Sequence, residues 1–119
     1  MSEAQEQAAL FDSLEYLKLQ YPELSLAHHI PNGGSRNKAE AARLKRQGVK
    51  AGVPDICIPV PRGGYHGMYI EMKYGRNKPK ETQKIWLERL SAQGYYTVVC
   101  YSAGEAIDKI LAYMRMGRR

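Results

Sequence analysis

The stretch Gly48–Lys73, which reads GVKAGVPDICIPVPRGGYHGMYIEMK, most constrains the possible fold of this chain. It contains two short apolar runs separated by a segment rich in proline and glycine, a pattern that predicts a β-hairpin. Asp55 begins the first run, and Glu71 and Lys73 stand at the end of the second. Because side chains alternate across a strand, Glu71 and Lys73 share one face and the apolar residues around them share the other. We therefore expect Asp55 to lie beside Glu71 and Lys73.

Two carboxylates and an ammonium in this arrangement have two interpretations. Neighbouring carboxylates repel each other unless a proton or a cation lies between them. Their oxygens suit a hard cation such as Mg²⁺ or Mn²⁺, and Lys73 could orient a water molecule or neutralise a phosphate. The plainer alternative is an aspartate at a strand start together with a solvated cross-strand ion pair. The spacing alone leaves both open, because a D…ExK pattern is short and recurs by chance.

The remaining sequence predicts alternating helices and strands. Predicted helices cover residues 3–20, 36–47, a segment opened by Pro79, and a segment opened by the capping box Ser102–Glu105. Predicted strands cover 24–30 and 95–101, and the second of these is apolar on both faces, which indicates a central strand. With the hairpin, the order is αβαββαβα. This order predicts a single α/β domain over residues 1–119, with a mixed four-stranded sheet, helices on both faces and a parallel crossover after Lys73.

The first helix carries two candidate site residues. Its leucine stripe, projected backwards from Leu10, places Glu6 and Glu3 on the same inward-facing side. A carboxylate that prolongs an apolar stripe is unexpected unless it meets a partner. The alternative is that both acids only complement the dipole at the start of the helix.

Basic residues predict a polyanionic partner. The chain has 18 Lys and Arg against 12 Asp and Glu, a formal charge of +6. The second predicted helix has few and small apolar positions, so we expect it and the loop after Lys73 to contact a phosphate backbone, although a solvated surface helix is the alternative. His28, His29 or Asn32 could also reach a phosphate. The candidate contact residues are Arg36, Lys38, Arg43, Lys45, Arg46, Lys50, Arg76 and Lys78.

Cysteine usage and hydropathy bear on the compartment. Cys57 and Cys100 each lie inside an apolar run, which favours buried free thiols in a reduced environment. No apolar stretch is long enough to span a bilayer, and the first residues are acidic where a leader would be basic. We expect a soluble protein of the cytoplasm with no membrane contact.

The motifs together resemble those of a known family. Pro54-Asp55, Glu71-x-Lys73 and the downstream Gln83 resemble the PD-(D/E)xK nuclease superfamily. The run GVKAGVPD that ends at Asp55, together with Gln83, Trp86, Leu90 and Gly94-Tyr95, is similar more specifically to the VRR-NUC family. The resemblance implies a restriction-endonuclease-like fold and a Mg²⁺- or Mn²⁺-dependent endonuclease that hydrolyses DNA phosphodiester bonds.

The resemblance also implies roles for individual residues. Asp55 and Glu71 would bind the metal together with the backbone carbonyl of Met72, Lys73 would act on the attacking water, and Gln83 would support the site. An acid of the first helix completes such sites, and here we expect Glu6 in preference to Glu3. The chain is similar in size to stand-alone viral or bacterial members that act as homodimers on branched DNA, including four-way (Holliday) junctions.

Two other functions remain open from the sequence. The chain could be a catalytically silent DNA-binding module or a nuclease subunit that requires a partner. It could also be an RNA-processing factor whose tyrosines stack on bases, with Tyr65, Tyr69, Tyr74 and Tyr101 as candidates.

Overall fold

The computed structural model describes residues 1–32 and 37–118. Its helices are α1 (Glu3–Leu17), α2 (Lys38–Arg46), α3 (Glu81–Ala92) and α4 (Ala103–Met114), with a 3-10 helix at Pro22–Leu26. Its strands are β1 (His28–His29), β2 (Ile56–Ile58), β3 (Met68–Met72) and β4 (Tyr96–Cys100). The predicted α/β class, the element order and the hairpin are confirmed.

The strands of the described ranges form one mixed sheet in the order β1-β2-β3-β4. β1 and β2 are antiparallel, as are β2 and β3, whereas β3 and β4 are parallel. The parallel pair is joined through α3, as predicted for a crossover that follows Lys73. β3 therefore has a hydrogen-bonded neighbour on each side, and this central position explains why Met68, Ile70, Glu71 and Met72 are almost fully buried.

One face of the sheet packs against α1 and α4. Leu10 of α1 and Ile110 of α4 are fully buried and belong to the same core cluster as Ile56 and Ile70. The alternation of β3 turns Glu71 to the opposite side from Ile70, and α3 places Gln83 against it there. One face of the sheet therefore packs against the apolar core, and the other carries Glu71 and Gln83.

Two sequence predictions about strands were wrong. The segment predicted as a strand from Leu24 to Ile30 is mainly the 3-10 helix, because Pro22 starts a turn there and only His28 and His29 pair with β2. The strand predicted as central, β4, lies at the edge of the sheet beside β3. Its residues are partly exposed up to Val99, and only Cys100 is buried.

Candidate active site

The hairpin brings the two predicted carboxylates together. The antiparallel register pairs Ile56 with Ile70, so Asp55, one residue earlier, lies opposite Glu71, one residue later. Asp55 Oδ2 accepts a hydrogen bond from the backbone N–H of Met72 at 2.7 Å, which fixes the aspartate against the end of β3. Asp55, Glu71 and Lys73 are exposed by only 7%, 1% and 7%. Charged groups are rarely buried to this extent without partners.

Glu71 is held through one of its two carboxylate oxygens. Oε2 accepts a hydrogen bond from Gln83 Nε2 at 3.2 Å, and Lys73 Nζ lies 3.6 Å from the same oxygen. Gln83 is oriented in turn by a hydrogen bond at the start of α3, in which its Oε1 accepts from the backbone N–H of Lys80 at 2.7 Å. Among the described residues, Glu71 Oε1 is the buried side-chain atom that has no hydrogen-bond partner. An unpaired buried oxygen is costly, so its retention points to a ligand.

The third carboxylate of the site comes from Glu3. Ligand atoms of Glu3, Asp55 and Glu71 all lie within 4.8 Å of one another, and these three residues are the carboxylate cluster of this article. The expectation that Glu6 lies here is corrected by the structure. Glu6 Oε1 accepts a hydrogen bond from the backbone N–H of Ala103 at 2.8 Å, at the start of α4. Glu6 therefore faces a helix N-terminus, which attracts a carboxylate for reasons unrelated to metal binding.

The pKa values of the cluster reflect its burial. Burial raises the pKa of Glu71 to about 8, with the neighbouring charge of Asp55 adding to the effect, while Lys73 acts in the opposite direction. The pKa of Glu3 is also raised, first by burial and then by Asp55, again opposed by Lys73. One lysine thus does not offset three neighbouring acids, and the raised pKa values of Glu71 and Glu3 mean that the cluster favours a proton or a further cation.

The donor set of the carboxylate cluster fits a divalent metal. Three convergent carboxylates and an unpartnered oxygen offer only oxygen ligands, which hard cations such as Mg²⁺ and Mn²⁺ prefer. A cation there would neutralise the repulsion between Asp55 and Glu71 and give Glu71 Oε1 a partner.

Comparison with known proteins assigns the chain to a family. The model of the VRR-NUC domain matches residues 1–104. The chain belongs to the VRR-NUC family. A solved structure described as a VRR_NUC domain protein is 34% identical, with a TM-score of 0.81, and the alignment covers 98% of this chain and 91% of that chain. No curated protein sequence gives a significant match. The family assignment implies a nuclease-type function, which in turn implies binding to DNA.

Two contacts of this VRR-NUC domain were not anticipated from the sequence. Gly52, in the run before Asp55, has φ +90°, and a Cβ there would lie 2.9 Å from both the Thr82 carbonyl oxygen and Trp86 Cδ1 of α3. The glycine therefore lets this loop lie directly against the helix that carries Gln83. His29 Nδ1 lies 2.8 Å from the Asp55 backbone oxygen, so β1 also supports the aspartate. The presence of glycine at position 52, just before Val53-Pro54-Asp55, was the sequence feature that could have indicated the close approach to α3.

The predicted nucleic-acid contacts lie on the surface of the VRR-NUC domain. No residue of α2, all of which is described, is buried, so core packing does not require this helix. Lys45 and Lys50 line a shallow groove of about 380 Å³ together with Asn32. Arg36 lies outside the described residues. The other predicted contact residues are all exposed: Lys38, Arg43, Lys45, Arg46, Lys50, Arg76 and Lys78.

Over the described residues, no helix combines the length and the apolar character that crossing a bilayer requires. Both cysteines are buried free thiols.

Proposed function

We propose that this VRR-NUC domain is a metal-dependent endonuclease that hydrolyses phosphodiester bonds of DNA, with branched DNA such as four-way junctions as its preferred substrate. The observation that carries the proposal is the carboxylate cluster: three acids with ligand atoms within 4.8 Å, one of them with a buried, unpartnered oxygen. A structural ion pair with Lys73 would need only one of these acids.

Asp55, Glu71 and Glu3 would hold the metal, with the backbone carbonyl of Met72 as a further ligand. Mg²⁺ or Mn²⁺ bound there would supply Lewis-acid activation of the scissile phosphate and of a water molecule. The side chains prepare this position before metal binds, because Asp55 is fixed by the Met72 amide and Glu71 by Gln83.

Lys73 has the role of a charged positioning group. Its ammonium is almost buried and lies 3.6 Å from Glu71 Oε2, so it cannot be fully solvated. A compact cation at the edge of the carboxylate cluster can orient the attacking water and stabilise the negative charge that develops on the phosphate. Gln83 acts one step further away, since it holds the oxygen of Glu71 that faces Lys73.

The exposed basic residues would hold the DNA backbone. α2 presents Lys38, Arg43, Lys45 and Arg46 to solvent, and Lys50 and Arg76 follow in loops before and after the hairpin. Contacts of this type are independent of sequence and weaken steeply with salt. Such binding suits an enzyme that selects DNA by shape. Symmetric cutting of a junction requires two active sites, so we propose that the domain works as a homodimer.

The decisive experiment is a cleavage assay on junction, flap and linear DNA with Mg²⁺, Mn²⁺ or EDTA. We expect cleavage only with a divalent ion and fastest on junctions. Asp55→Asn and Lys73→Ala should each reduce the rate by about 10²-fold or more while DNA binding in a gel shift is retained. Glu15→Ala is the matched control, because Glu15 is an exposed acid of α1 that forms an ion pair with Lys18.

Three results would contradict the proposed function. Unimpaired cleavage by Asp55→Asn would remove the carboxylate cluster from the mechanism. DNA binding by the wild-type protein without cleavage under any metal would identify a binding module or a subunit that requires a partner. Preference for RNA over all three DNA substrates would point to RNA processing.

A further inference from the structure

The side chain of Glu6 connects two distant parts of the chain. Its Oε1 accepts a hydrogen bond at 2.8 Å from the backbone N–H of Ala103, 97 residues further along the sequence. Ala103 is the first residue of α4, so its N–H is one of the helix-terminal donors that lack a partner within the helix. Ser102 Oγ accepts from the Glu105 N–H and leaves the Ala103 donor to Glu6. A carboxylate at a helix N-terminus makes a charge-assisted bond that also suits the helix dipole.

The start of α4 lies next to the strand end that carries the site. Cys100, the last residue of β4, pairs with Met72 of β3, and its carbonyl oxygen accepts from the Lys73 N–H at 2.9 Å. Ala103 follows Cys100 within three residues. The Glu6–Ala103 bond therefore ties α1 to the end of the β3–β4 pair from which Glu71 and Lys73 project.

Glu3 lies at the start of α1, which is held to the rest of the molecule by the bond of Glu6 to Ala103 and by Gln7 Nε2, which lies 3.1 Å from His29 Nδ1. Glu3 is the first residue of α1, in a turn closed by the Glu6 N–H bonded to the Ser2 carbonyl oxygen at 2.9 Å and the Gln5 N–H bonded to Ser2 Oγ at 3.2 Å. The first fully buried residue of α1 is Leu10, about two turns later. Terminal turns fray unless something holds them. Glu6, one turn after Glu3, is placed to do so.

We propose that Glu6 is a positioning residue for the carboxylate cluster: its bond to the N-terminus of α4 holds the first turn of α1 so that Glu3 reaches Asp55 and Glu71. The proposal deepens the proposed function and rests on it, since it concerns the same metal site. Glu6 itself does not touch the metal. This separates it from a ligand, the role that the sequence resemblance assigned to it.

The test compares Glu6→Ala with Glu6→Gln, using Mn²⁺ affinity measured by calorimetry. Glutamine keeps an acceptor oxygen at the same reach, so Glu6→Gln should bind Mn²⁺ nearly as well as the wild type. Alanine removes the acceptor, and we expect about tenfold weaker binding, the effect usual for groups that orient metal ligands. Glu15→Ala, an exposed acid of the same helix, should change nothing.

A double-mutant cycle with Glu3→Ala tests whether Glu6 acts through Glu3. In the Glu3→Ala background, Glu6→Ala should cause no further loss of Mn²⁺ affinity, because the ligand that it positions is already absent. Additive losses would overturn the proposal, as would wild-type affinity in Glu6→Ala. Equal losses in Glu6→Gln and Glu6→Ala would also overturn it and would support a charged, ligand-like role.

A metal-free measurement keeps this inference separate from the proposed function. Hydrogen exchange of the backbone amides of residues 6 and 103 in EDTA should be faster in Glu6→Ala than in the wild type and near wild-type in Glu6→Gln. If the wild type bound no metal, the proposed function would fail on that result alone. Unchanged exchange at both amides in Glu6→Ala would refute the tether whatever the metal does.

Discussion

Glu71→Gln should stabilise the metal-free fold at alkaline pH while it removes the response to metal. Glu71 is 1% exposed, and its pKa is raised to about 8 by burial and by Asp55. The folded state therefore favours the neutral carboxyl. Its contribution to stability is fully present below the ordinary value of 4.5 and is lost as the pH rises through about 8. Glutamine resembles the neutral carboxyl at every pH, so the variant avoids that loss.

The size of the effect follows from the same pKa values. The difference between about 8 and 4.5 sets an upper limit of about 5 kcal/mol on the destabilisation at alkaline pH. Side chains and water rearrange around an ionised carboxylate, so we expect a gain on the order of 2 kcal/mol for Glu71→Gln at about pH 9. At about pH 4 the two proteins should differ little, because Glu71 is then protonated in both the folded and the unfolded chain.

Urea unfolding in EDTA across this pH range measures the difference, with Glu15→Gln as the control for an exposed acid of the same chain. A parallel series with Mn²⁺ should reverse the ranking. If the proposed site binds the metal, a hundredfold excess over the dissociation constant should stabilise the wild type by about 2.7 kcal/mol, and the variant much less. A Glu71→Gln protein that is no more stable than wild type at alkaline pH without metal would refute the claim that an uncompensated buried carboxylate is built into this fold.

Three further predictions concern other parts of the molecule. Three of the four solvent-facing cations of α2 are Arg43, Lys45 and Arg46. Replacing these three with alanine should reduce the slope of log affinity for DNA against log salt by about 2 to 3, whatever the DNA sequence, in a titration at several salt concentrations. Gly52→Ala should destabilise the fold by about 2 kcal/mol or more in urea unfolding, because the new Cβ would lie 2.9 Å from the Thr82 carbonyl oxygen at φ +90°. Tyr113→Phe should lower stability by about 1 to 2 kcal/mol, since the buried Val60 carbonyl oxygen loses a donor at 2.6 Å; an unchanged unfolding curve would contradict this.

The sequence was sufficient for the parts of the site that depend on local pattern. Alternation in β3 placed Glu71 opposite its apolar neighbours, the proline- and glycine-rich loop indicated the hairpin, and the helical register put Gln83 on the inner side of α3. Asp55 follows from the hairpin register. These relations span a few residues or one turn, and such short-range geometry varies little among proteins.

The choice between Glu3 and Glu6 required tertiary information. Both acids lie on the side of α1 that Leu10 defines, since an apolar stripe covers a wide arc of a helix. Which of the two acids reaches the carboxylate cluster depends on where the end of β3 and the start of α4 lie along α1. Local sequence cannot give that position, because α4 begins 97 residues after Glu6. The edge position of β4 was hidden for a similar reason. Tyr96 of β4 packs edge-on against Tyr65, with ring centroids 5.3 Å apart, so the strand looks apolar on both faces without being central.

The geometry around Lys73 favours the metal-site interpretation of the D…ExK pattern that we propose. A structural ion pair would place the lysine close to one acid, with the other oxygens solvated or bonded. Lys73 does pair with one acid, at 3.6 Å from Glu71 Oε2, but Glu71 Oε1 is buried without a partner among the described residues, and Asp55 and Glu3 converge on the same point. Replacing such buried charges with apolar side chains is often neutral or stabilising in proteins, so folding alone does not favour them. The arrangement is explained if a cation supplies the missing positive charge. The buried, mutually repelling carboxylates destabilise the metal-free protein, and the same repulsion would favour binding of a metal ion.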